Sequence, residues 1–168
     1  TSTTAGNNVA VGTSALNSNT TGDLNVAIGS TALSSNTVGD RSIAIGHNAL
    51  RDQNPSSNED MYNVAIGVNA GLETTTGVNN TVIGGLALDA NTTGAQNTAI
   101  GRSALSANTT ASNNTAIGHG AMAANTTGTS NTAVGFNSLD ANTTAHNNTA
   151  LGYDALTTNT TGTANTAV

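Results

Sequence analysis

The chain has 168 residues, a net charge of −6 and 7% charged residues, and it contains no cysteine. Threonine, alanine, asparagine and glycine fill 103 of the 168 positions, whereas leucine, isoleucine, valine and phenylalanine fill only 29. This composition argues against a compact enzyme domain, and we expect no cofactor. Three arginines and no lysine leave no basic surface for nucleic acid or anionic lipid. No apolar run is long enough for membrane insertion.

A 17-residue unit recurs along the chain. Nine segments such as NVAVG, NVAIG and NTAIG end at glycines that keep this spacing, except for one longer interval after the third. These are Gly12, Gly29, Gly46, Gly67, Gly84, Gly101, Gly118, Gly135 and Gly152. A tenth copy begins at Asn165. We therefore expect a single repeat domain over 1–168, a fragment of a longer fibrous protein, with nine coils and an insertion at 51–62 in the third.

The residues before each glycine predict a strand. With this glycine as position 0, position −1 is branched and apolar in every repeat, and position −2 is alanine in all but one. Position −3 is valine or isoleucine in the first four repeats and threonine in the last five. In such a β-branched strand the −3 and −1 side chains share one face and −2 points the other way. The −1 column comprises Val11, Ile28, Ile45, Ile66, Ile83, Ile100, Ile117, Val134 and Leu151.

A second apolar pair follows each glycine at positions +3 and +4, and then a turn sequence such as Asn-Thr-Thr-Gly. Two turn signals per repeat favour two short strands per coil. The predicted fold class is therefore all-β, a thin parallel β-solenoid whose nine coils form a rod about 43 Å long. Such a thin rod cannot cover both strand faces by itself. We expect it to self-associate, most simply as a homotrimer, with the −1 column as the seam and core between chains.

The NVAIG and NTAIG segments, with the ALxxNTTG that follows them, resemble the head repeats of trimeric autotransporter adhesins of the YadA type and the similar repeats of phage tail-fibre proteins. The resemblance spans essentially the whole chain. It implies a left-handed parallel β-roll, a homotrimer, and attachment to cell surfaces from an extracellular position on a virion tail or bacterial surface. The repeat unit is longer than that of the adhesin heads, which favours a phage tail fibre.

The insertion at 51–62 is the one place where the repeat is abandoned, and it contains the only proline. A loop on a regular scaffold is free to carry binding specificity. The candidate contacts for a cell-surface receptor, with a glycan as one candidate, are the residues that we call the charged bulge: Arg51, Asp52, Glu59, Asp60 and Tyr62. The alternative is a surface bulge without a function.

Other polar residues give no catalytic or metal site. Asp89 and Asp140 occupy the same column three coils apart, about 14 Å, which is too far for paired carboxyl groups. Asp140 and Asp154 lie on adjacent coils without an aromatic platform, so a solvated acidic face is the simpler interpretation. His47 and His119 have no second ligand at the next position but one. We therefore expect a protein that is not an enzyme.

One surface column and three functions remain as alternatives. Position +1 carries Arg102, His119, Phe136 and Tyr153 on successive coils, which could form a sugar-contacting stripe or be ordinary surface variation. The regular asparagine and threonine columns also fit an ice-binding β-solenoid. A bacterial adhesin head and a passive shaft fit the same repeats.

Overall fold

The computed structural model describes residues 6–168 as a parallel β-solenoid of about nine coils, without a helix in that range. Ten short strands form one sheet in sequential order, and every neighbouring pair is parallel. The strands are β1 Val9–Val11, β2 Val26–Ile28, β3 Ile43–Ile45, β4 Val64–Ile66, β5 Thr81–Ile83, β6 Thr98–Ile100, β7 Thr115–Ile117, β8 Thr132–Val134, β9 Thr149–Leu151 and β10 Thr166–Ala167. The all-β solenoid that the repeat predicts is confirmed.

The strands stack in register, so each repeat position forms a straight column along the rod. Ala99 pairs with Ala116, and Ile100 pairs with Ile117. The −2 column faces inward and is fully buried from β2 to β9. The −3 and −1 columns face outward, as the alternation of side chains along a strand requires. The predicted orientation of the strand is therefore confirmed.

The prediction of two strands per coil is wrong, because each coil contains one. The apolar pair after the glycine lies in a turn with two left-handed residues: position +2, just before the pair, and the +4 member of the pair itself, with φ of 59° at Ser14 and 50° at Leu16. Corresponding residues have positive φ in every later coil, and so does a third corner at position −5, such as Leu24 at 57°. Left-handed residues cannot continue an extended strand. The second apolar pair therefore makes a corner and directs its side chains inward.

The glycine at position 0 is required by close approach between coils. Gly118 has a φ of 137°, and a Cβ at this position would lie 2.3 Å from the carbonyl oxygen of Gly135 in the next coil. No larger residue fits without moving the backbone. This contact sets the spacing between coils beside the sheet.

The coil interior combines a small apolar half with an amide half. The +4 side chain fills the centre and is fully buried in the middle coils: Leu33, Leu50, Leu88, Leu105, Met122 and Leu139. Alanines at −2 and +3 surround it. Within residues 6–168 the only break lies in the fourth coil, where Gly71 takes this position beneath Leu50. A narrow coil thus closes around one large side chain.

Two ladders of buried asparagines, at positions −4 and +7, replace a larger apolar core. In the sixth coil, the Nδ2 groups of Asn97 and Asn108 both donate to the carbonyl oxygen of Ala111 in that same coil, at 2.9 and 3.1 Å. The Oδ1 of Asn97 in turn accepts from the backbone N–H of Asn114 one coil further on, at 3.0 Å. Most of these buried amides are satisfied by their own turn and by the neighbouring coil, and within residues 6–168 the Oδ1 of Asn142 is the one buried amide atom without a partner. The recurrent Asn-Thr-Thr-Gly is therefore a core element as well as a turn.

The insertion leaves the coil over a shorter span than the sequence predicts. The backbone N–H of Asn54 still donates to Thr75 in the next coil at 3.0 Å, as its equivalents do elsewhere. Residues 56–60 are exposed, and the chain returns to the interior at Met61, which is fully buried. Pro55 is also buried. The excursion is therefore a short exposed segment between two buried anchors.

Gln53 adapts the core to this insertion. It stands in the +7 column where most coils have asparagine, and its longer side chain exchanges hydrogen bonds with the hydroxyl of Ser42 at 3.0 and 3.1 Å. Its Oε1 also accepts from Nδ2 of Asn63 at 3.0 Å. In most other coils the carbonyl at position +10 joins the two ladders, as that of Gly94 accepts from Asn80 and Asn91. The third coil lacks that turn, and in the fourth Thr74 takes the +7 position and its buried hydroxyl has no partner among the described residues. Gln53 and the small Ser42 thus restore the link in the third coil.

Candidate functional site

The outer face of the sheet carries a row of partly exposed apolar side chains. Its −1 column is partly open along its whole length, with 57% of Val11 and 38% of Ile66 exposed. These side chains lie outside the coil's own core, which is made of the −2, +3 and +4 columns. An exposed, continuous apolar strip of this kind is typical of an interaction surface.

The −3 column divides this face into two halves. In β1 to β4 it is valine or isoleucine, so both outward columns are apolar. In β5 to β9 it is threonine, and the hydroxyl groups of Thr81, Thr98, Thr115, Thr132 and Thr149 have no hydrogen-bond partner within residues 6–168. The second half therefore presents a column of methyl and free hydroxyl groups beside a column of branched apolar groups.

The charged bulge separates into two sets of interacting side chains. Arg51 binds Asp52 through two parallel hydrogen bonds of 2.8 and 2.7 Å. Asp60 forms an ion pair with Arg41, a residue that the sequence analysis did not select, and accepts from the hydroxyl of Tyr62 at 3.0 Å. No hydrogen bond or ion pair joins these two groups within the described range. The structure therefore does not gather the five predicted residues into one site.

Each arginine of the bulge region is held by its own carboxylate. The hydrogen bond to Asp60 raises the pKa of the exposed Arg41, whose guanidinium also lies 5.9 Å from the centre of the Tyr62 ring. The hydrogen bond to Asp52 likewise raises the pKa of Arg51. Glu59 is exposed and uses its backbone carbonyl to accept from the N–H of Asp40 at 2.9 Å. Exposed pairs of this kind contribute little stability, and they leave no free cation in the bulge.

A stack of rings and one arginine lies along the +1 column over four coils. We call Arg102, His119, Phe136 and Tyr153 the stripe. The rings of His119 and Phe136 are 5.3 Å apart between centres and inclined by 11°, and those of Phe136 and Tyr153 are 5.3 Å apart and inclined by 6°. Phe136 is 42% exposed and Tyr153 is 75% exposed. The column that the sequence singled out is thus an ordered, open stack.

The arginine end of the stripe has a defined polarity. Nη1 of Arg102 lies 3.4 Å from Nε2 of His119. Because a guanidinium can only donate, this contact requires Nε2 to accept, which in a neutral imidazole leaves Nδ1 as the donor. Arg102 forms no ion pair among the described residues, whereas the other two arginines do.

The acidic residues Asp89 and Asp140 lie in different surroundings. Burial raises the pKa of Asp89, and the charge of Glu73 in the preceding coil acts in the same direction. Asp140 accepts from the hydroxyl of Thr157 at 2.7 Å. Within residues 6–168 no three histidine, aspartate or glutamate side chains are placed to hold a metal ion.

Comparison with known proteins gives no assignment: no family model, curated protein or solved structure matches the chain. The described residues include no helix that is long and apolar enough to span a membrane. Two exposed features are candidate sites: the outer face of the sheet and the stripe.

Proposed function

We propose that the chain is a segment of a homotrimeric attachment fibre, most simply a phage tail fibre, with a bacterial surface adhesin as the nearest variant. It acts outside the cell and is not an enzyme. The observation that carries this proposal is the open apolar strip formed by the −1 column over nine coils. The threefold symmetry and the left-handed coil come from the resemblance of the repeats to adhesin heads and tail fibres.

The dimensions of the strip suit association along the rod. Stacked strands about 4.8 Å apart give a strip about 43 Å long, with the −3 and −1 columns about 7 Å apart. Because the strands stack in register, identical chains can pack side by side with equivalent contacts at each coil. Covering the strip removes apolar surface from water, which is the main favourable term in protein association.

The function follows from stiffness and repetition. Hydrogen bonds between successive coils make the rod stiff, and a trimer presents each surface feature three times at one height. Weak contacts at three sites combine through a high effective concentration, which strengthens attachment by about 10²–10⁴ when the sites are engaged together. A trimeric rod therefore suits binding to a cell surface covered with repeated ligands.

The experiment compares two double substitutions in the same two coils. Ile100→Asp with Ile117→Asp places charges in the strip, whereas Thr110→Asp with Thr127→Asp places equal charges at exposed corners. Uncompensated charge in an apolar interface is costly, so we expect the first variant to lose the trimer and the second to keep it. Retention of fluorescently labelled protein on whole bacterial cells should fall by about 10²-fold or more only in the first variant. Equal assembly of both variants would contradict the proposal.

An ice-binding solenoid is the second candidate, because the free hydroxyls of the −3 threonines form a regular grid with the −1 column. A flat grid of hydroxyl and methyl groups can order surface water. This function requires the face to be open, whereas trimer assembly covers it. A monomer that shapes growing ice crystals would favour this candidate over the fibre.

A further inference from the structure

We infer that the stripe binds a saccharide that carries an isolated carboxylate, with the sugar rings along Phe136 and Tyr153 and the carboxylate on Arg102. The inference rests on the attachment function proposed above and names the ligand class and its place on the rod. It assigns recognition to the stripe and not to the charged bulge.

The aromatic part of the stripe offers ring faces to a ligand. Parallel rings whose centres are 5.3 Å apart are offset-stacked. Offset stacking leaves part of each face uncovered, and the 42% exposure of Phe136, which lies between two rings, agrees with this. The C–H groups of a pyranose pack on such faces. A row of partly exposed rings, one per coil, favours an extended chain of sugars over a compact small molecule.

The cationic part of the stripe selects an acid. A guanidinium without a carboxylate partner is free to bind one through two parallel hydrogen bonds, and Arg102 is the arginine in this condition. The contact with His119, the first ring of the stack, orients the guanidinium of Arg102. The net charge of −6 repels a dense polyanion such as nucleic acid, and one unpaired cation does not offset it. A ligand with one carboxylate beside neutral sugars can pair with the guanidinium and avoids the repulsion that a polyanion would meet.

The bulge lacks these properties. Its one arginine, Arg51, is paired with Asp52, while Asp60 is paired with Arg41 of the preceding coil and accepts from the hydroxyl of Tyr62. A receptor would have to break these pairs before it could bind. The stripe can bind without breaking an ion pair.

Tyrosine fluorescence provides a direct test, because the chain has two tyrosines and no tryptophan. Tyr62→Phe leaves Tyr153 as the only tyrosine, and its emission is then titrated with 3′-sialyllactose, with the methyl ester of that sugar and with lactose. We expect saturable quenching by the acid and at least tenfold weaker binding of the ester and of lactose. Arg102→Gln in this background should make acid and ester bind equally. Phe136→Ala should weaken binding of the acid about tenfold.

The matched control is His47→Ala, because His47 occupies the same column without an adjacent ring. We expect binding to be unchanged in this variant and weaker in His119→Ala. Absence of quenching at millimolar acid, or equal losses in the two histidine variants, would overturn the inference. Sedimentation of each variant separates this result from the fibre proposal. A trimer that does not bind sugar refutes only the stripe, whereas a monomer that binds it refutes only the trimer.

Discussion

Replacing Asn114 by alanine tests whether the asparagine ladders hold the coils together. The Asn114 side chain is buried, accepts from the backbone N–H of Asn131 at 3.0 Å and donates to the carbonyl oxygen of Gly128 at 2.8 Å. Alanine removes both bonds. The Gly128 carbonyl keeps its bond from Asn125 at 3.0 Å, but the Asn131 N–H is left buried without a partner.

The expected loss follows from these contacts. A buried donor without a partner costs about 1–3 kcal/mol, and each further hydrogen bond that is lost costs about 0.5–1.5 kcal/mol. Since the Nδ2 of Asn131 also loses its 3.3 Å contact with Asn114, two further bonds disappear. The free energy of unfolding should therefore fall by about 2–6 kcal/mol. With a urea dependence of about 2 kcal/mol per molar, the unfolding midpoint should fall by about 1–3 M.

The assay is urea unfolding followed by circular dichroism at one fixed protein concentration, because assembly makes stability depend on concentration. The control is Asn113→Gly, since Asn113 is the exposed neighbour with a φ of 63°, which glycine adopts without strain. We expect its midpoint to stay within about 0.5 M of the unmodified chain. If Asn114→Ala unfolds at the same urea concentration as the control, the ladders do not stabilise the rod.

Three further variants test other parts of the structure. Gly118→Ala should prevent folding, because its Cβ would lie 2.3 Å from the Gly135 carbonyl oxygen. The control Gly85→Ala, whose Cβ would have its nearest contact at 3.8 Å, should fold in normal yield. Equal yields of the two folded variants would be inconsistent with the close contact at Gly118. Gln53→Asn should lower the free energy of unfolding by about 1–3 kcal/mol in urea, because the shorter amide leaves its buried partners unsatisfied, and an unchanged midpoint would refute the bridging role. Burial raises the pKa of Asp89, so the folded chain binds this proton more tightly than the unfolded chain and loses stability as the pH rises above the ordinary value of 3.8. Asp89→Asn should therefore raise the thermal midpoint at pH 7 more than at pH 3, and an equal effect at both would contradict the assignment.

The sheet could be predicted because its signal is a column pattern. Alanine at −2 between two branched residues predicts a strand with one inward side chain, and Ala99 and Ala116 are buried as expected. The prediction of a second strand was wrong because leucine rarely adopts a left-handed backbone, so the sequence shows no sign of a corner at position +4. The angle of 50° at Leu16 depends on the neighbouring coil, whose Ala32 carbonyl accepts its N–H at 3.0 Å. The backbone preference of leucine within its own repeat does not reveal this hydrogen bond to the next coil.

The insertion shows a second limit of the sequence. Its charges drew attention to Asp60 and Tyr62, but their partner Arg41 lies one coil earlier and keeps the repeat pattern. Gln53 and Ser42 both depart from asparagine in the coil that contains the insertion. That coincidence was a readable signal of a shared core contact. The stripe is recognisable in the sequence as a column, whereas only the structure shows that its rings stack.

Sedimentation equilibrium of the unmodified chain over a range of micromolar concentrations tests the central claim most directly. If the apolar strip packs against two identical copies of the chain, the folded species has three times the chain mass of 16.4 kDa. Its circular dichroism should show β-structure at every concentration at which the trimer persists. A folded species of 16.4 kDa throughout that range would contradict the claim, because the strip would then be open to water in the native protein.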